Sequence, residues 1–162
     1  MTPIQATAEA FWTVSKVLPT EEKPAVSQKI ILDESVEPSA VTHIMLCTGK
    51  VYCDLLNERE QTDARTVAVV RVEQLYPLLP ETLVEALSVY PDGIPLTWVQ
   101  EEPLNMGANP FVRLKFEPHL RERWSFDTVG RPEAATPATG SAASHKLEQQ
   151  ILIQTAFKRG AR

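Results

Sequence analysis

VTHIMLCTGKVYCDLLNERE, residues 41–60, is the most informative stretch of the chain. Val41 to Cys47 is a nearly unbroken apolar run, the pattern of a strand covered on both faces, and it ends in Thr48-Gly49. Lys50 to Glu60 then places Val51, Leu55 and Leu56 on one face, with Asp54, Glu58 and Arg59 outside, which is helical spacing. A buried strand, a glycine turn and an amphipathic helix in direct succession predict one half of a parallel crossover unit.

On its C-terminal side the unit repeats. Thr66 to Val72 is a second buried strand, and Leu83, Leu87 and Val89 with Glu81 and Glu85 predict a second helix. Pro95 to Gln100 predicts a third strand. Alternating strands and helices with right-handed crossovers imply an α/β chain, a three-layer α/β/α domain on a mostly parallel sheet. Phe111 to Phe116 alternates like a strand, yet Asn109-Pro110 is a good helix start, so both readings stay open here. Trp124 to Phe126 is short enough for an edge strand. Residues 130–144, rich in Gly, Pro, Ala, Ser and Thr, predict a loop or linker. Ala143, Leu147 and Ile151, then Ala156 and Phe157, trace a closing helix.

Residues 1–39 form a separate N-terminal helix and connector, and 40–162 the compact domain. Thr2-Pro3-Ile4-Gln5 is a helix start, and Ile4, Ala8, Phe11, Trp12 and Val14 follow at helical spacing. Residues 19–40 mix prolines and charges around Ile30-Ile31-Leu32.

With 162 residues, 43% apolar and 23% charged, the chain has room for one cored domain. A net charge of −5 with scattered Lys and Arg argues against nucleic acid as a partner. Cys47 and Cys53 fit neither a CxxC pair nor a zinc knuckle and are expected as free thiols. No apolar run reaches the ~18 residues of a membrane span, so no membrane association and a cytoplasmic location are expected.

In open parallel sheets, ligands bind beyond the carboxyl ends of the strands. Three such segments stand out. Thr48-Gly49-Lys50 combines a glycine turn, helix amides and a cation, and is either a plain turn or an anion site. Arg71, Glu73, Gln74 and Tyr76-Pro77 follow the second strand. Gln100, Glu101, Glu102 and Asn105 follow the third. Glu73 and Glu101 could work as an acid–base pair, but capping and ion pairing explain these carboxylates as well. His43, His119 and His145 lack ligand spacing, and neither a catalytic nucleophile nor a metal set is identified.

The segments LCTGKVYCDL, VAVVRVEQLYPL, WVQEEPLNMGANPF and GRPEAATPATGSAASHKLEQQ together resemble the C-terminal domain of 2-oxoglutarate dehydrogenase, the thiamine-diphosphate-dependent decarboxylating component of its complex. The similarity runs from about residue 40 to 158. It implies a transketolase-type C-terminal domain in an enzyme of the tricarboxylic acid cycle. In that family this domain holds neither thiamine diphosphate nor magnesium, and no cofactor or activity is expected of this chain alone. The resemblance further implies packing against the catalytic domains of the same enzyme, a homodimer interface, and contact with the other components of the complex. In some relatives it implies an acetyl-coenzyme A effector site. On this chain, Thr48, Gly49, Lys50 and Arg71 are the expected effector or anion-binding residues. Glu73, Gln74, Tyr76, Gln100, Glu101, Glu102 and Asn105 are the expected interface loops. The alternative is a free-standing module that binds an acyl-coenzyme A or a nucleotide. The family usually has an aromatic residue at the position of Asn109 and a tyrosine at that of Cys53, so an interface anchor is expected to be missing at Asn109.

Overall fold

The computed structural model describes residues 28–136 and 142–160. The helix expected over the first twenty residues lies outside the described residues. Among the described residues a five-stranded sheet has the order β1-β3-β2-β4-β5. Its strands are β1 (Ile30–Ile31), β2 (His43–Cys47), β3 (Val67–Val72), β4 (Pro95–Pro103) and β5 (Ser125–Arg131). All neighbours run parallel except β1, which pairs antiparallel with β3.

Period-two alternation sorts the sheet into two faces. Ile44, Leu46, Ala68, Val70, Leu96, Trp98 and Phe126 point to one side. There they meet α2 (Pro80–Leu87), α3 (Asn109–Lys115) and α4 (Glu117–Leu120) through Leu83, Leu87, Val112, Phe116 and Leu120. Met45, Cys47, Val69, Val99 and Val129 point the other way, against Val51 and Leu55 of α1 (Val51–Gln61) and Leu152, Ile153 and Ala156 of α5 (Ala142–Arg159). Each fully buried leucine in these layers contributes ~1.5–3 kcal/mol. The result is the expected α/β/α sandwich, and its layering has a cause in chain direction. From β2 to β3 the chain moves one way across the sheet, and from β3 through β4 to β5 it moves back. Right-handed crossovers then set α1 on one face and α2 to α4 on the other.

Several local expectations change. Ile30 and Ile31, expected as connector, become β1, and Asp33 just beyond them is buried at 8% exposure. The Asp33 carboxylate accepts hydrogen bonds from Val69 N (2.9 Å) and from Ser35, and pairs with Arg59. This stretch is thereby fastened to β3 and α1. Phe111 to Phe116 is helical: Pro110 sits in the first turn, where a missing amide hydrogen is harmless. Val89 lies past the end of α2 and is half-exposed. On α5 the buried residues are Leu152, Ile153 and Ala156, whereas Leu147 and Ile151, 59% and 54% exposed, face outward.

β5 continues through Gly130 and Arg131, which by composition belong to a linker. Between Val99 and Pro103, β4 carries two more residues than β5 does between Val129 and Arg131. This bulge brings the Glu102 carbonyl within 2.9 Å of where a Cβ on Gly130 would stand, so only glycine fits.

Candidate functional site

The reversal of chain direction falls between β2 and β4, where the helices that follow the two strands leave on opposite faces. In this topology the carboxyl ends of those strands bound a crevice, the usual binding position of an open α/β sheet. Thr48-Gly49-Lys50 leaves β2 there. Gly49 has φ +69°, a conformation glycine adopts without strain, and it turns the chain into α1 while Lys50 stays exposed. The register pairs Arg71 with Cys47, the residue before Thr48, so the structure brings Arg71 beside the turn. The Arg71 guanidinium stacks 4.5 Å from the Tyr52 ring centroid and ion-pairs with Glu73 at 3.5 Å. The neighbouring Cys47 thiol is buried and its pKa is pushed up to about 12, which keeps it an unreactive thiol. Cys53 is exposed on α1, and neither cysteine is in a disulfide.

On the β4 side the polar residues turn inward. Gln100 continues the alternation of Leu96 and Trp98 and is 1% exposed. Its Oε1 accepts from Asn109 N (2.7 Å) and Trp98 Nε1 (3.1 Å). Its Nε2 donates to the carbonyls of Glu102 (3.3 Å), Pro103 (3.0 Å) and Met106 (2.8 Å). Asn109 Nδ2 donates to Leu104 O at 2.7 Å. Asn105 exchanges two hydrogen bonds with the backbone of Ala134. Gln100 is therefore an internal brace of this loop with no side-chain surface to offer a partner. Asn109, 3% exposed, does not stand at a surface where an aromatic anchor would be missed; it joins the same brace. Glu102, by contrast, is exposed.

Glu73 and Glu101 do not come together. Strand β2 lies between theirs, which separates them by roughly 10 Å, and each has its own partner. Glu101 Oε1 accepts from Gln149 Nε2 at 2.9 Å, and the same amide nitrogen donates to Asp54 Oδ2 at 2.9 Å. Gln149 Oε1 in turn accepts from Arg131 Nη2 at 3.2 Å. Arg131, only 6% exposed, also donates to His145 Nδ1 at 3.0 Å and ion-pairs with Glu148 at 3.5 Å. A guanidinium only donates, so His145 Nδ1 is the acceptor in this contact. This network ties β4, β5, α1 and α5 together over the crevice.

Beside it lies a groove of about 670 Å³ between α1 and α5, lined among others by Lys50, Asp54, His145, Lys146 and Gln149. Asp54, Arg131 and Gln149 are absent from the sequence-based candidates. Arg131 was detectable in principle as the polar residue that ends an apolar strand, but Gly130 and Pro132 on either side read as linker.

His43 is far from this site, at the amino end of β2. It is 1% exposed, with Nε2 2.9 Å from Thr97 Oγ1, and burial lowers its pKa to about 4. His119 is half-buried on α4. Among the described residues no three His, Cys, Asp or Glu side chains converge as metal ligands. No described helix is long and apolar enough to cross a membrane.

Residues 21–157 match the family model described as 2-oxoglutarate dehydrogenase C-terminal. The chain is 37% identical over 124 residues to the 2-oxoglutarate dehydrogenase E1 component of Cupriavidus necator, covering 76% of this chain and 13% of that one. It is 38% identical over 128 residues to the corresponding component of Azotobacter vinelandii, covering 76% and 14%. It thus spans about an eighth of the length of these relatives. Among solved structures, a split-gene transketolase, an inactive β4 tetramer, is similar with a TM-score of 0.55 at 16% identity, over 88% of this chain and 46% of that one, a likeness of fold. Motifs, fold and relatives agree: the chain belongs to the 2-oxoglutarate dehydrogenase C-terminal family.

Proposed function

We propose that this chain serves as a non-catalytic docking and assembly domain for the decarboxylating component of a 2-oxoglutarate dehydrogenase. On this reading it packs against that enzyme's catalytic domains and contributes to their dimerisation, and thiamine diphosphate and magnesium are held there. The observation that carries the reading is the fate of the polar groups beyond the strands. Gln100, Asn105 and Asn109 brace one loop, and Arg131, His145 and Gln149 lock α5 over the crevice. These groups set backbone shape, which suits a preorganised docking surface with exposed Glu102 and Tyr76 on it. The test is to assay the purified chain with 2-oxoglutarate, thiamine diphosphate and magnesium, alone and mixed with the enzyme lacking this domain. No turnover alone and restored turnover in the mixture are expected. Turnover by the chain alone defeats the proposal.

A second reading is favoured by Lys50 and Arg71 flanking the turn beside the 670 Å³ groove. It makes Thr48-Gly49-Lys50 with Arg71 an effector site for an acyl-coenzyme A or a nucleotide, through its phosphates. Calorimetry with acetyl-coenzyme A is expected to give saturable binding that Lys50→Ala weakens. Equal affinity in that variant removes this reading.

A further inference from the structure

Helix α3 and the loop after β3 meet in a surface that combines exposed apolar side chains with positive charge. Tyr76 is 76% exposed and Leu79 64%, and Leu114 on α3 is 83% exposed. The Lys115 Nζ lies 5.6 Å from the centroids of both the Tyr76 and Phe111 rings, which joins the loop to the helix. Phe111 adjoins Leu114 and Lys115 on the helix surface, three and four residues along. An apolar cluster of this kind is unfavourable in water and marks a contact surface.

The charge around the cluster defines the partner it fits. The chain has a net charge of −5, yet α3 carries two cations, Arg113 and Lys115, and no carboxylate. Among the described residues Lys115 pairs with no carboxylate, and its ammonium is held against the two rings. Lys29 Nζ donates to Pro77 O at 3.3 Å, which places a second ammonium at the loop. Arg113 and Arg121 share the single carboxylate of Glu117, at 3.0 and 2.7 Å, so that trio keeps a net positive charge. Of the carboxylates on the loop and α2, Glu73 is committed to Arg71, and Glu81 lies in the first turn of α2, whose free amides offset its charge. Positive charge bordering apolar surface selects a partner with carboxylates beside its own apolar groups and repels a basic one. Lys115, already held by the rings, gives up little freedom on meeting a carboxylate.

We propose that the Tyr76–Leu114–Lys115 face receives an acidic segment of the catalytic chain, whose apolar side chains pack on Tyr76 and Leu114 while an Asp or Glu beside them pairs with Lys115. The proposal rests on the docking reading above and names the face and the chemistry of its partner.

The test is to titrate the enzyme lacking this domain into fluorescently labelled chain and read binding by anisotropy at low and high salt. The parent chain is expected to bind, and to bind less tightly as salt rises. Leu114→Asp, at a position too exposed to threaten folding, is expected to weaken binding by about tenfold or more, the scale of a lost interface anchor. Lys115→Glu is expected to weaken it by a similar factor at low salt and by less at high salt. Leu147→Asp, another exposed leucine but on α5, is expected to bind like the parent. Thermal melts that match the parent's establish that each variant is folded. Parent-like affinity in both Leu114→Asp and Lys115→Glu overturns the proposal and leaves the docking reading standing. A loss in only one of the two variants overturns the pairing of apolar with acidic contacts. No binding by the parent chain removes the docking reading and this proposal with it. A parent dimer by light scattering that Leu114→Asp dissociates also overturns it, by assigning the face to a second copy.

Discussion

The loops after β3 and β4 have similar composition and opposite roles. The loop after β4 closes on itself: Gln100 makes five hydrogen bonds within its own chain and is 1% exposed. The loop after β3 opens outward: Glu73 and Tyr76 are exposed, and the polar contacts of Glu73 and Gln74 run to Arg71, the Lys29 backbone and the Tyr76 carbonyl. The difference is one of register. Gln100 sits two residues beyond Trp98 on a strand that continues to Pro103, so alternation carries its side chain inward. Strand β3 stops at Val72, and the residues past its end are released from alternation. A polar residue just past an apolar run is thus a brace or a surface group according to whether the strand has ended.

The contrast predicts unequal effects of substitution. Gln100→Leu removes the side-chain partner of the Asn109 amide, the Trp98 indole N–H and the carbonyls of Glu102 and Met106, while Pro103 O keeps the Met106 amide, so a loss of about 4 kcal/mol and ~10 °C in Tm is expected by thermal unfolding. A loss under about 1 kcal/mol would break the comparison.

The buried His43 comes next. Its pKa is about 4 in the fold against an ordinary 6.5. Above pH 6.5 it is neutral folded and unfolded, and burial imposes no penalty. Between 6.5 and about 4 only the unfolded chain takes up the proton, so stability falls with pH and then levels off. At about 1.4 kcal/mol per pH unit this amounts to ~3 kcal/mol. Denaturant melts of the parent and His43→Gln across this range check it, the variant losing that part of the slope.

Asp33 has a carboxylate stabilised in its charged form. Burial opposes its ionisation, but hydrogen bonds from Ser35, Val69 N and Arg59 outweigh it and hold its pKa below 3.8. Its stabilisation is present above pH 3.8 and is lost as pH falls through the lowered value. Asp33→Asn removes the charge that Arg59 faces and is expected to destabilise by about 2 kcal/mol in urea at pH ~7. The smallest effect belongs to the open loop. Glu73→Gln breaks a partly exposed pair at 3.5 Å and is expected to change stability by less than about 0.5 kcal/mol in the same melts. A larger change would mean that this loop too is internally braced.

Much of the fold was legible because buried parallel strands are written as unbroken apolar runs. Val41–Cys47 and Thr66–Val72 are such runs, and both match their strands to within a residue or two. The antiparallel β1 was not legible, since two isoleucines between charges carry no period. The closing helix α5 was legible from Ala143, Leu147, Ile151, Ala156 and Phe157, but its buried stripe was not, since Leu147 and Ile151 also fall at helical spacing and only the packing of Leu152, Ile153 and Ala156 on the sheet identifies it. Of the candidate site, Thr48 to Lys50 and Arg71 were identified from strand ends. Asp54, Arg131 and Gln149 were not, because they gather from three elements far apart in the chain.

The order of residues alone was enough to assign the class of the chain: strands as unbroken apolar runs, helices of near-period four, a glycine at a turn that needs φ +69°, and motifs that mark the family. These are local properties, set by covalent neighbours and readable in order. Which polar residues brace and which face outward was settled by the packed fold. Hydrogen bonds such as Gln149 to Asp54 join residues 95 positions apart, and such pairing depends on strand order and register, which no local pattern encodes.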